Sequence, residues 1–156
     1  MSARKPLVLN NGEIEQLQSS DTLDAVVSEV DIISLVAAAT ITIGNPVYLS
    51  SANGCNKAQA NAVSTAKVIG LAKAGITSGS SGSVQTDGII TLTTGEWDAI
   101  AGTTGGLTFN TDYFLSAAAS GAITATVPEG TNYIVKIGRA ISTLSLDLNI
   151  SSPIKL

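Results

Sequence analysis

The chain has no histidine. Without imidazole there is no Ser-His-Asp triad, no Cys-His dyad and no histidine metal site. Its single cysteine, Cys55, excludes an internal disulfide and a cysteine-rich zinc site. No charged neighbour in sequence lowers the Cys55 pKa, so it reads as an unreactive thiol. Charge is scarce too: 8 Lys plus Arg against 12 Asp plus Glu, 13% of 156 residues, for a net charge of -4. The basic residues are scattered, with only Arg4 and Lys5 adjacent. With a pI near 4.5 this excludes a phosphate-backbone binder. No apolar run approaches the roughly 18 residues of a membrane span. The opening Met1-Ser2-Ala3-Arg4-Lys5-Pro6 leads into no stretch of signal-peptide length. These absences predict a soluble, cytoplasmically made protein with no metal, no cofactor, no nucleic-acid partner and no membrane partner.

Small polar and branched residues are what the chain does have. There are 18 Ser, 17 Thr and 15 Gly, and 44% of residues are hydrophobic, mostly Val, Ile, Leu and Ala. That hydrophobic content with so little net charge is not the composition of a disordered chain. Val, Ile and Thr are stiff at Cβ and suit strands. The sequence therefore predicts an all-β fold, a compact β-sandwich or barrel-like domain of short antiparallel strands with an N-terminal arm. A surface of hydroxyls and amides repels itself less than a charged one and suits a protein packed against neighbours.

Residues 1–30 form the expected arm and residues 31–156 the β-domain. Half of the acids lie between Glu13 and Asp31. Pro6-Leu7-Val8-Leu9 is followed by the turn signal Asn10-Asn11-Gly12. Asp21 caps a short helix over Leu23, Val26, Val27 and Val30, or the same stretch is a strand; both readings fit. Beyond Asp31, Asn53-Gly54 and Asp87-Gly88 are hairpin signals. Lys67 to Ala74 reads as a strand, Gly75 to Gly82 as a loop, and Ile89 to Leu92 as the strand returning from Asp87-Gly88. Glu96 to Ile100 is one helical turn, and Gly102 to Gly106 a loop. Tyr113-Phe114-Leu115 pairs with Ile123 to Val127, and Tyr133 to Ile141 is a strand bulged at Gly138. Leu144 to Ile150 alternates without a break, as a half-buried strand does.

The chain also echoes itself. Val47-Tyr48-Leu49-Ser50 matches Tyr113-Phe114-Leu115-Ser116, and Ile69-Gly70-Leu71-Ala72 matches Ile137-Gly138-Arg139-Ala140. The spacing is 20 residues from Leu49 to Ile69 and 22 from Leu115 to Ile137. Two related β-units that stack their apolar faces would give this pattern.

Few residues invite chemistry. Ser64-Thr65-Ala66-Lys67 fits the Ser-x-x-Lys of penicillin-recognising enzymes, but the accompanying Ser-Asp-Asn and Lys-Thr-Gly elements are missing, so it reads as a loop entering a strand. Glu96 and Asp98 flank Trp97. A glycosidase needs two carboxylates about 5 to 9.5 Å apart beside a sugar-stacking surface. The plainer reading makes the acids caps or surface charges and Trp97 a core or contact anchor. Asp87, Asp112 and Asp147 have no calcium-loop spacing. The glycine loops match no phosphate-binding motif.

The opening Lys5 to Gln18, continuing to Asp21-Thr22-Leu23, resembles the start of many tailed-bacteriophage virion proteins. The body is similar to small phage capsid decoration (cement) proteins, through Gly44-x-Pro46-Val47-Tyr48, Val68-Ile69-Gly70-x-Ala72, the Gly82 to Gly88 hairpin, Tyr113-x-Leu115 and Ile137-Gly138-x-Ala140. The resemblance implies a structural protein of the virion rather than an enzyme. It would be a homo-oligomer, with a trimer favoured, seated on the capsid surface against the major capsid protein. An arm would clamp neighbouring subunits, with Leu7, Val8, Leu9, Ile14 and Leu17 as the docking residues. The alternative is a tail-fibre or host-recognition module in which Trp97, Tyr48 and Tyr113 stack on glycans.

Overall fold

A computed structural model describes residues 31–155 and, ahead of them, strands β1 (Leu7–Asn10) and β2 (Glu13–Gln16). β1 and β2 pair antiparallel, with Leu9 opposite Ile14 and Asn10 opposite Glu13, as the Asn-Asn-Gly signal predicts. Residues 17–30, with the helix or strand expected over Leu23 to Val30, lie outside the described residues.

The next five strands close into a barrel: β3 (Ile32–Ala37), β4 (Pro46–Ser51), β5 (Gly54–Lys57), β6 (Val68–Ala72) and β7 (Ser81–Gln85), in the order β3-β5-β4-β6-β7. β3 pairs antiparallel with β7 and parallel with β5, and the parallel pairs Val36–Gly54 and Ala37–Cys55 seal the barrel. Inside sit Leu35, Ala37, Ile41, Val47, Cys55, Ala72, Ile76 and Val84. Small side chains, Ala37, Ala72 and Cys55, sit there because five strands enclose little room. Gly70 is required by the same crowding: a Cβ on it would lie 2.3 Å from the Gln85 carbonyl oxygen.

The rest of the chain builds an open antiparallel sheet. It contains β8 (Gly88–Thr91), β9 (Asp112–Leu115), β10 (Ile123–Thr124), β12 (Lys136–Ala140) and β13 (Ser145–Leu148), in the order β10-β9-β12-β13-β8. The short β11 (Tyr133–Ile134) pairs with β14 (Ile154–Lys155). Helix α1 (Thr94–Ala101) leaves β8 and packs beside β10. It buries Trp97 and Ile100 in a core shared with Tyr113, Leu115, Ile137 and Leu146. The barrel strand β6 adds Leu71 to that core, and the connection between β5 and β6 adds Ala58, Ala60 and Ala66.

The fold is all-β as the composition predicts, and of the two architectures expected the barrel is realised. Four local expectations are corrected. Asp87-Gly88 does not make a hairpin: both edges of β7 are taken, by β3 and β6, so β8 leaves the barrel to pair with β13. Gly82 belongs to β7, where a Cβ would strike the Ile76 side chain. The strand from Tyr133 breaks after Ile134, since β11 pairs with β14 while β12 pairs with β9 and β13. β10 ends at Thr124, whose hydroxyl accepts from the Thr126 N–H at 3.1 Å in a local turn. The bulge near Gly138, the hairpin at Asn53-Gly54 and the strand around Leu146 are as the sequence predicts.

Candidate functional site

The helix after β8 exists because of its ends. Thr93 and Glu96 form a capping box: the Thr93 N–H donates to Glu96 Oε2 at 2.8 Å, and the Glu96 N–H donates to Thr93 Oγ1 at 3.3 Å. Gly102, left-handed at φ 64°, terminates it and donates its N–H to the Asp98 carbonyl. This makes α1 eight residues long, longer than the single turn expected from Glu96 to Ile100.

Both carboxylates of Glu96-Trp97-Asp98 are occupied by this construction. Hydrogen bonds from the Thr93 backbone and hydroxyl hold the Glu96 carboxyl below its ordinary pKa. Asp98 accepts from Gly106 N–H at 2.8 Å, Gly105 N–H at 3.0 Å and Thr103 Oγ1 at 2.9 Å. Those bonds, the Gly106 one foremost, likewise lower its pKa. The Glu96 carboxylate is thus engaged in the capping box and that of Asp98 in holding the loop Thr103 to Gly106 against the helix.

The aromatic residues nominated for sugar stacking are also engaged. Trp97 is fully buried and its Nε1 donates to the Leu144 carbonyl at 2.7 Å. Tyr113 is fully buried and its hydroxyl accepts from the Thr108 N–H at 3.0 Å. Tyr48 packs half-buried against the main core. Cys55 lies inside the barrel, where burial raises its pKa and keeps it a thiol. Ser64 sits in the turn before β6, at the N-terminal side of Lys67, with no helix to bring the two together.

Asp112 is bound on the outer face of the sheet by Arg139 at 2.8 Å and Lys136 at 3.0 Å, which hold its carboxyl far below the usual range. Asp147 stands opposite Arg139 on β13, and Asp87 lies apart in the crossover before β8. Among the described residues no three His, Cys, Asp or Glu side chains converge in a way that could hold a metal ion.

One site appears that no local motif announced. A cleft of about 620 Å³ opens between the barrel and α1. Thr42, Asn45 and Lys57 line it from the barrel, Glu96 and Ile100 from the helix, and Ser120 from the loop before β10. Asn45 is fixed across it, accepting from the Thr42 N–H and hydroxyl and donating to the Gly121 carbonyl at 2.8 Å.

Of the expected docking residues, Leu7, Val8 and Leu9 lie on β1 and Ile14 on β2; their side chains and the whole of Leu17 are outside the described residues. On the outside of the barrel, β3 presents Ile32, 47% exposed, and Val36, 39% exposed. No known protein family matches the chain, and no curated protein matches it.

Proposed function

We propose that this chain is a non-enzymatic structural protein of a tailed-phage virion. It binds the outer surface of the capsid and stabilises it by bridging capsid subunits, as a homotrimer. The observation that carries this reading is the division of labour among its side chains. The carboxylates and aromatics suited to chemistry hold the fold together, whereas apolar side chains stand in solvent on β3, the first barrel strand after the segment that resembles phage virion proteins. Such a surface acts by burial, which contributes about 25 cal/mol per Å² before the entropic cost of association. Leu7, Val8, Leu9, Ile14 and Leu17 dock on the major capsid protein, and Ile32 and Val36 extend the same contact onto the barrel. Of the three aromatics nominated for glycan stacking by a tail fibre, Trp97 and Tyr113 are inside the core and Tyr48 is half-buried.

The test is sedimentation with purified phage heads. The full chain should co-sediment at a stoichiometry of hundreds of copies per head, and a variant lacking residues 2–20 should remain in the supernatant. Equal binding by the truncated chain sinks the arm mechanism. Immunogold over tails with none over heads sinks the capsid assignment. Polysaccharide cleavage that disappears in Glu96→Gln and Asp98→Asn sinks the non-enzymatic reading.

A further inference from the structure

The geometry points to a tandem duplication: residues 32–85 and 89–148 are two copies of one five-stranded unit, and α1 opened the second. The inference stands apart from the capsid reading and rests on five kinds of correspondence.

The first is strand order. Reading the barrel from β5 gives β5-β4-β6-β7-β3, and the sheet reads β10-β9-β12-β13-β8. Each position in one list is filled by the strand at the same place in the chain order of the other, counting β11 and α1 as insertions.

The second is register. Val47 faces Gly70 and Tyr48 faces Val68 in the barrel; Tyr113 faces Gly138 and Phe114 faces Lys136 in the sheet. Both ladders skip one residue, Ile69 and Ile137, so the same bulge recurs. On the far side, Ala72 faces Val84 and Ala140 faces Leu146. Ile33 then faces Val84, and Ile90 faces Leu146.

The third is the backbone around these ladders. The Ala72 N–H donates to the Asn45 carbonyl at 3.0 Å, and Ala140 to Thr111 at 2.9 Å. Gly44 donates to the Ala72 carbonyl and Asn110 to Ala140, both at 2.8 Å. Gly44 has φ 77°, and its counterpart Asn110, at φ 58°, is the one non-glycine with positive φ among the described residues. Asparagine is a residue that accepts this conformation when glycine is absent.

The fourth is the reason for glycine. A Cβ at Gly70 would lie 2.3 Å from the Gln85 carbonyl oxygen, and at Gly138 it would lie 2.2 Å from that of Asp147. Gln85 and Asp147 are themselves counterparts. The fifth is sequence, now aligned by structure: Ile32-Ile33-Ser34-Leu35 falls on Ile89-Ile90-Thr91-Leu92, and Ser83 on Ser145.

The copies differ at one step. Between Leu35 and Ile41 the first copy has five residues; between their counterparts Leu92 and Leu107 the second has fourteen. In the first, Val36 and Ala37 extend β3 into its parallel pairing with β5. In the second, Thr93 stands where Val36 does and caps a helix instead. The copies also associate head to tail. Tyr48, Val68 and Leu71 point out of the first copy into the shared core. Their counterparts Phe114, Lys136 and Arg139 lie on the outer face of the second, where the two cations bind Asp112. A heterologous contact of this kind would propagate unless its last free face were made polar.

The test substitutes the paired glycines in the full chain. Gly70→Ala and Gly138→Ala should each lower the thermal midpoint by about 5 °C or more and to a similar extent. Gly95→Ala, with open space around it, should not lower it. A loss at only one of the pair overturns the equivalence. If neither variant accumulates folded, cross-strand nuclear Overhauser contacts in the unaltered protein decide. They should place Val47 against Gly70 and Tyr113 against Gly138, with Ile69 and Ile137 as the extra residues; a regular ladder with Ile137 opposite Phe114 overturns the inference.

Discussion

The barrel of β3 to β7 and the open sheet of β8 to β13 share order and register but finish their cores by different means. The first uses backbone pairing: the end of β3 reaches β5, and small side chains fill what is left. The second uses side chains: β8 ends at Thr91, Thr93 caps α1, and Trp97 and Ile100 on α1 are buried in the core. Charge divides the same way. Residues 32–86 hold three lysines and no carboxylate, whereas residues 88–148 hold Glu96, Asp98, Asp112, Glu129 and Asp147 against Lys136 and Arg139. A closed barrel needs no electrostatic fastening. In the second unit Glu96 caps the helix, Asp98 holds the loop after it, and Asp112 binds Lys136 and Arg139.

The comparison breaks most directly at Trp97. Trp97→Ala should cost about 3 to 5 kcal/mol in urea unfolding, because it empties a fully buried volume in the shared core and leaves the Leu144 carbonyl with only the Leu92 N–H as donor. Amide exchange should then rise first on β8 and β10 and last on β3 and β7. A cost below about 1 kcal/mol would mean that the sheet does not depend on its helix.

Next in size is the pair at one aligned position. Leu71→Ala, fully buried between the units, should cost about 2 to 5 kcal/mol. Arg139→Ala, its exposed counterpart, should leave the unfolding midpoint almost unmoved. Equal effects would mean that the two outer faces are not used differently.

How much of this was legible in the sequence depends on the range of each interaction. Alternation in Leu144 to Ile150 and the Asn53-Gly54 turn are local, and both correspond to the structure. The echo between Ile69-Gly70 and Ile137-Gly138 was visible, but its meaning lay in the carbonyls of Gln85 and Asp147, which no spacing reveals. Asp87-Gly88 carries a hairpin signal that fails because pairing is decided by which edges are free, a property of the assembled barrel. The capping role of Glu96, the plainer of the two readings of Glu96-Trp97-Asp98, corresponds to the structure, and its local signature is Thr93-x-x-Glu96. The cleft at Asn45 draws on four separate segments and has no local signature.

A smaller effect belongs to the cap. Thr93→Ala removes the acceptor for the Glu96 N–H and one donor to its carboxylate, and should cost about 1 kcal/mol. Thr93→Ser should recover most of it. If Thr93→Ala is neutral, α1 is held by Trp97 alone and the caps are incidental.

The smallest effect concerns Asp112, and its pH dependence gives it value. Arg139, and then Lys136, depress the Asp112 pKa in the folded chain. A depressed carboxylate contributes stability that is fully present above its unfolded pKa of about 3.9 and is lost as pH falls through the folded value. Asp112→Asn should therefore be less stable than the parent at pH 7, by no more than about 1 kcal/mol because the cluster is partly exposed. The gap should begin to close below about pH 5 and keep closing towards pH 2. Glu96 and Asp98 are depressed in the same direction, so the parent's acid sensitivity should centre on the second unit. The strands of the first contain no carboxylate to protonate. Acid unfolding monitored by amide exchange should loosen α1 and β9 before β3 to β7. Simultaneous loss would show that the shared core around Leu71 couples the copies more tightly than their charges separate them.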